Sequence, residues 1–356
     1  MKKIFIFLGV ILLLTGCGKS NNKNIIKKLD KQLNSCKSYH LIATLDIYRN
    51  EEKYSYDVQS SYMKGDYFKV ELVNKNNNHK QIILKNKDGV YVLTPSLNKS
   101  FKFQSDWPYN NSQIYLLQPV INDITKDSES NIKNTRDGYI ITSKVDYSTE
   151  KDFKMQKVYV AKDNTIKKVE VIDSSNTVKM SLNIVDIDFK KTFEDDYFDV
   201  NKYKTSEEND TNTKDLEKSD NAQNNNTQNK DTNNEEARKE NSTTSKIDEI
   251  IYPMYVPVDT YLSSQDVVST NSGERVILTF NGESSFTIVQ ETVGDASSTN
   301  YVYGDPYLIL DTVGSITDYS VSWISNGVEY SVMSDSMNVD ELLTVAQSIS
   351  VKTVGK

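Results

Sequence analysis

Asp106 to Ile124 reads DWPYNNSQIYLLQPVINDI, and it interrupts a chain that otherwise alternates with a period of two. Upstream, Tyr39, Leu41, Ala43, Leu45 and Ile47 alternate with mostly polar residues, as do Tyr54, Tyr56 and Val58 and then Phe68, Val70 and Leu72. Such alternation predicts antiparallel strands with one covered face. Trp107 and Pro108 end the block, because proline donates nothing to a ladder and pushes its predecessor extended. Asn110, Asn111 or Ser112 then caps a helix whose Ile114, Leu117, Ile121 and Ile124 point one way. Pro119 stands about two turns inside that helix, where a missing N–H predicts a kink or a break into two pieces.

The alternation resumes at Tyr139 with YIITSKV, MQKVYVAKDNTIKKVEV and VKMSLNIVDIDF. A turn at Asp163 and Asn164 sets Val158 opposite Val169 and Lys157 opposite Glu170, giving one apolar and one charge-paired face. Before the strands, Ile26, Leu29, Leu33 and Cys36 recur at helical spacing among lysines, which predicts a short amphipathic helix. The reading up to about Tyr203 is a large curved sheet with few helices.

The N-terminus carries Lys2 and Lys3, an apolar run from Ile4 to Leu14, then Thr15, Gly16 and Cys17. This order is that of a secretory signal, too short to span a bilayer, which takes roughly twenty residues. LTGC matches a lipobox, so Cys17 is the expected lipidation site and residue 1 to residue 17 the signal peptide. Cys36 is the one other cysteine, so a lipidated Cys17 leaves no intrachain disulfide and the folded parts must rely on their cores. The location expected is the extracytoplasmic face of the cell membrane, held by lipid.

From Lys204 to Lys246 the chain is polar throughout, with Leu216 its only sizeable aliphatic residue and no aromatic, and is read as a disordered linker. It divides residues 21–203 from residues 247–356 and argues for two independently placed modules. In the second, IYPMYVPVDTYL is extended because of Pro253 and Pro257, and strands follow at ERVILTF, SSFTIVQE and YLILDTV. Asn326 and Gly327 suit a type I′ hairpin that sets Trp323 opposite Tyr330 and Val321 opposite Val332. Asn338 and Glu341 form a capping box before Leu342, Val345, Ala346 and Ile349, the apolar face of a C-terminal helix.

Composition narrows function. A net charge of -8 disfavours nucleic acid and anionic lipid surfaces as bulk electrostatic partners. Two histidines, no Cys/His spacing for a metal, no G-x-S-x-G turn and no phosphate-binding glycine loop argue against an enzyme, and no cofactor or metal is expected. The acidic cluster Glu194, Asp195 and Asp196 reads as a strand-terminal group, with Phe193, Tyr197 and Phe198 tucking into the sheet. The 22 tyrosines are sheet formers or the lining of a lipid or peptide groove.

With SDWPYNNSQIYLLQPVINDI between two strand blocks, a lipobox before and EDDYFDV after, residues 21–203 resemble Gram-positive lipoproteins of the LolA/LolB-like fold, such as the germination lipoprotein GerS and related sporulation lipoproteins. The resemblance implies an incomplete antiparallel barrel wrapped around helices, so that the fold class is mainly β with α+β: a curved antiparallel sheet, plus a small α+β C-terminal domain with its own antiparallel sheet and helix. YPMYVPVDTYL, NGVEYSVMSDS and VDELLTVAQSI in that domain resemble an uncharacterised module of Gram-positive lipoproteins and anti-sigma proteins. Trp107, Pro108, Asn110, Asn111, Ser112, Gln113 and Leu117 are the motif residues, in the core first or else lining a cavity. The implied function is a non-enzymatic binding scaffold in sporulation or germination that binds and activates a cell-wall (cortex) amidase. The alternatives are a sensor that binds a membrane anti-sigma factor, a class in which the two domains pack together, and an envelope carrier of lipid or lipoprotein. Expected partners are thus the membrane through the anchor, a protein, and in the carrier reading a hydrophobic ligand.

Overall fold

The computed structural model describes residues 22–49, 52–147, 150, 152–204, 246–270, 273–294 and 299–349. Residues 1–21, on which the expected signal peptide and Cys17 fall, and residues 205–245 of the polar segment lie outside the described residues. Helix α1 (Asn22–Ser35) buries Ile25, Leu29 and Leu33, one residue per turn. Its stripe is led by Ile25 where the spacing pointed to Ile26, and Ile26 and Cys36 border it half-buried. The Cys36 thiol donates to the Leu33 carbonyl at 3.1 Å and burial raises its pKa, so it serves as a small apolar residue.

Strands β1 (Ser38–Arg49), β2 (Glu52–Met63), β3 (Tyr67–Asn74), β4 (Lys80–Asn86), β5 (Gly89–Thr94) and β6 (Lys99–Gln104) form one meander. Strands β7 (Asn131–Asn134), β8 (Gly138–Lys144), β9 (Met155–Ala161), β10 (Ile166–Ile172) and β11 (Val178–Asp188) form another, joined to the first where β11 pairs antiparallel with β1. The result is a large curved sheet that does not close into a barrel. β6 and β7 stand on opposite sides of the β1–β11 join. The chain between them therefore has to cross a sheet face, and the crossing segment is the DWPYNN stretch followed by helix α2 (Leu117–Lys126). Tyr39, Leu41, Leu45, Val58, Val70 and Val169 of that face bury against Leu29 of α1 and Val120, Ile121 and Ile124 of α2. Each such Leu, Ile or Val contributes about 1.5–3 kcal/mol on burial.

Helix α2 starts later than its apolar spacing predicts. Leu116 occupies the N-cap with no side-chain cap, so none of Asn110, Asn111 and Ser112 fills that place. The Tyr39 hydroxyl of β1 instead accepts the Leu117 N–H at 3.2 Å. Pro119 consequently falls in the first turn, where its missing N–H is one that has no intrahelical partner anyway, and the helix runs from there to Lys126 without a break.

The predicted β9–β10 register holds: Val158 faces Val169 and Lys157 faces Glu170. Glu170 takes its ion pair from Lys168 at 2.5 Å. On the opposite sheet face, Ile82, Leu84, Tyr91 and Leu93 are covered by Val200 and Tyr203. Phe193 stacks on Tyr197, and Phe198, buried, meets both rings edge-on.

The C-terminal part contributes β12 (Thr260–Thr270), β13 (Gly273–Gly282), β14 (Phe286–Thr292), β15 (Thr299–Tyr303), β16 (Asp305–Ile309), β17 (Thr312–Ile316), β18 (Ser320–Ser325), β19 (Val328–Met333) and α3 (Val339–Ser348). Seven of the strands form a second sheet in the order β12-β13-β14-β19-β18-β17-β16. Asn326 and Gly327 have φ of 49° and 77°, and the hairpin sets Trp323 against Tyr330 with ring centroids 5.4 Å apart. Asn338 accepts from the N–H groups of Asp340 and Glu341, and Leu342, Val345, Ala346 and Ile349 are buried.

Three further features depart from the sequence reading. YLILDTV bends at Leu310, whose φ is 49°, into the β16–β17 hairpin. Strand β12 has almost no buried side chain, so no alternation announces it. Finally, the two parts are joined: β15 pairs in parallel with β6 and becomes the edge of the first sheet. A polar connection sets no limit on what its flanks do, and β6 would otherwise present an unpaired backbone edge.

Candidate functional site: the seam between the two sheets

The β16–β17 hairpin lies on the helix-bearing face of the first sheet. Gln81 of β4 is 5% exposed, and its amide acts like a strand backbone toward β17. Its Oε1 accepts the Val313 N–H at 2.5 Å and its Nε2 donates to the Val313 carbonyl at 3.1 Å. Tyr56 of β2 donates to the Leu310 carbonyl at 2.8 Å, and burial pushes its phenol pKa well up. Asn77 donates to the Asp311 carboxylate at 3.2 Å. Burial raises the Asp311 pKa and lowers that of His79 nearby.

Arg49 closes the other end of the seam. Its guanidinium lies 2.5 Å from the Glu150 carboxylate and donates to the Tyr307 hydroxyl of β16, which in turn donates to Glu150. Burial works against the arginine charge, but Tyr307 and Glu150 outweigh it and raise the Arg49 pKa. Burial likewise drives the Tyr307 phenol up. Phe153 lies under the guanidinium at 5.8 Å.

Between β5, β6 and β15 on one side and β17, β18 and β19 on the other is a cavity of about 310 Å³. Phe101, Phe103 and Trp323 contribute rings, Thr94, Ser315, Thr317, Ser320 and Ser322 contribute hydroxyls, and Glu329 contributes a carboxyl. Burial, then the neighbouring Glu291, raises the Glu329 pKa. Tyr301 and Tyr303 line the cavity while remaining 76% and 74% exposed. A space of this size suits a small ligand or a large partner side chain.

The motif residues divide. Trp107, Pro108 and Leu117 are buried in the core, with Trp107 edge-on to Phe68 at 6.1 Å. Asn110 is exposed. Ser112 donates to Asp123 of α2 at 2.7 Å and accepts the Asp146 N–H at 2.8 Å, tying the crossing segment to the second meander. Asn111 and Gln113 reach the seam, lining a space of about 30 Å³ with Arg49, Tyr307 and Leu308. The gap between α1 and α2 beside Leu117 is about 10 Å³. These spaces hold a water molecule or so and no acyl chain.

Arg49, Glu150, Tyr307 and Gln81 were not singled out from the sequence. One signal was available: Arg49 is one of four arginines in a chain with 42 basic residues, and arginine is the cation suited to a buried, forked pairing.

No family model matches the chain. Sporulation protein YdcC of Bacillus subtilis (strain 168) is 31% identical over 342 residues, which is 95% of this chain and 93% of the relative. Among solved structures, the Pseudomonas aeruginosa MucA/MucB complex aligns at 10% identity and a TM-score of 0.31, covering 92% of this chain and 98% of that one. The CwlD amidase of Clostridioides difficile in complex with the GerS lipoprotein aligns at 17% identity and a TM-score of 0.30, covering 50% of this chain and 99% of that one. Similarities of that size to solved structures carry no weight for function.

Proposed function

The chain belongs to the family of the sporulation protein YdcC, and from that premise we propose that it is a membrane-anchored extracytoplasmic scaffold acting in sporulation, where it binds and activates a cell-wall amidase. The observation that carries a binding role is the seam cavity. Its lining of rings, hydroxyls and amides offers one carboxyl, Glu329, and among the described residues no histidine, cysteine, lysine or arginine, a set suited to holding a group by ring contact and hydrogen bonds. Tyr301 and Tyr303, exposed while lining the cavity, are the side chains most useful to a protein interface, large and rigid with a polar tip. The space of about 10 Å³ between α1 and α2 speaks against an acyl chain carried there. Anchoring follows from the LTGC sequence at Cys17, and the amidase from the likeness of Trp107 to Gln113 to the germination lipoproteins.

One observation favours a second reading, a sensor of a membrane anti-sigma factor: the two sheets pack together, as that class does. Crosslinking and affinity capture from sporulating membranes separates the two. Capture of an amidase, lost in Tyr301→Ala/Tyr303→Ala, together with a deletion strain that forms spores but leaves cortex intact, supports the first. Normal germination of the deletion strain sinks it, and capture of a single-pass regulator with a derepressed regulon replaces it with the second.

A further inference from the structure

A second surface lies away from the seam, at the far side of the second sheet. Strand β12 is the terminal strand there, and among the described residues no other strand pairs with its outer edge. It is eleven residues long, and its side chains are exposed on both faces. Tyr261, Leu262, Val267 and Val268 are all at least 40% exposed. The preceding segment adds exposed Tyr252, Met254, Tyr255 and Val258, and the Tyr252 hydroxyl donates to Gln265 of β12 at 2.5 Å, so the two run together as one surface.

Edges of this kind are normally blunted by lysine, by proline or by being short, because unpaired N–H and C=O groups pair with any extended chain. β12 has none of these three devices and one charge, Asp266; the one irregularity in its pairing with β13 falls between Leu262 and Ser264 and leaves the run from Ser264 to Thr270 regular. An apolar strip of this extent on a sheet edge marks a place where another chain is meant to lie. Charge decides which chain. From Ile247 to Glu274 the sequence has five acidic residues, Asp248, Glu249, Asp259, Asp266 and Glu274, and no lysine or arginine. A second copy would set this acidic edge against itself, and an anionic membrane would repel it.

We infer that the β12 edge takes up an extended segment of a partner protein in which apolar residues alternate with lysine or arginine. The added strand makes backbone hydrogen bonds along Tyr261 to Ser269, its apolar side chains lie beside Leu262 and Val267 on one face, and its basic ones meet Asp266 on the other.

The test uses the full chain and two synthetic eleven-residue peptides with the same apolar pattern, one alternating with lysine and one with glutamate. The lysine peptide is expected to slow amide exchange within Tyr261 to Ser269, and the glutamate peptide to bind at least tenfold more weakly. Asp266→Lys, on an exposed side chain, should shrink that preference several-fold with unchanged thermal melting. Equal binding of both peptides, or slowed exchange elsewhere with none in β12, overturns the inference. So does protection of β12 in the absence of peptide, whether with concentration-dependent dimers or on phosphatidylcholine vesicles, since the occupant is then a second copy or a membrane.

Discussion

The Arg49 guanidinium of β1 donates to the Tyr307 hydroxyl of β16 at 3.1 Å, and this contact joins residues that stand 258 positions apart. Arg49 and Glu150 are 10% and 14% exposed, so the ion pair between them is largely removed from water. Such a pair adds little by itself, but removing one member strands the other.

Arg49→Ala should therefore cost about 3–5 kcal/mol, because Glu150 is left without its counter-charge. Tyr307→Phe keeps the pair and should cost about 1–2 kcal/mol. Urea denaturation gives the totals, and amide exchange across β15 to β17 locates the loss. An Arg49→Ala protein with unchanged exchange there would show that the seam is held elsewhere.

Tyr39 and α2 give a second case. The phenol accepts from the Leu117 N–H at 3.2 Å and donates to Gln118 Oε1 at 2.8 Å, replacing a capping side chain that Leu116 lacks. Tyr39→Phe keeps the ring and strands one N–H, so a loss of about 1–2 kcal/mol is expected in thermal or urea melts. Asn111→Ala should leave α2 unaffected, because that side chain does not cap it.

What could be read from sequence was whatever depends on local period. The strand alternation, the β9–β10 register, the Asn326–Gly327 hairpin and the face of α3 all appear as expected, because each buries a regular subset of its own residues. The start of α2 was misplaced because Ile114 fits the apolar spacing but lies in the turn before the helix, and the cap arrives from Tyr39, 78 residues away. β12 was missed because it buries neither face. The seam was missed for a related reason: Gln81, Arg49 and Tyr307 look like ordinary half-polar strand positions until their partners arrive from the other half of the chain.

Asp123 of α2 links stability to pH. Burial raises its pKa to about 6, opposed by the hydrogen bond from Ser112 and by Lys126, while Asp146 adds to the rise. The unfolded chain ionises this group near the ordinary value of 3.8, so between about 4 and 6 the folded state binds the extra proton. Its contribution is complete below that window and is lost as pH rises through it. Asp123→Asn keeps an acceptor for Ser112 and carries no charge. It should match the parent near pH 4 and exceed it by about 1–2 kcal/mol at pH 7, allowing for the group's partial exposure. A constant difference between the two proteins across that range would refute the assignment.

Gly314 in β17 lines the seam cavity, and a Cβ there would sit 2.1 Å from the Ser322 carbonyl and 2.9 Å from both Ile309 Cδ1 and Trp323 Cβ. The β17 and β18 backbones approach this closely because one of them lacks a side chain, and the pairs Ser315 with Ser322 and Ile316 with Val321 depend on it. Gly314→Ala must push β18 away, which costs about 3 kcal/mol or more as overpacking and reshapes the cavity wall at Trp323. Gly327 is the control: its φ of +77° strains an alanine by about 1 kcal/mol, but nothing lies within 4 Å of the new methyl group. If the cavity receives the partner, Gly314→Ala at a temperature where both proteins are folded should weaken capture of that partner far more than Gly327→Ala does. Equal capture by the two would move the binding surface away from the seam.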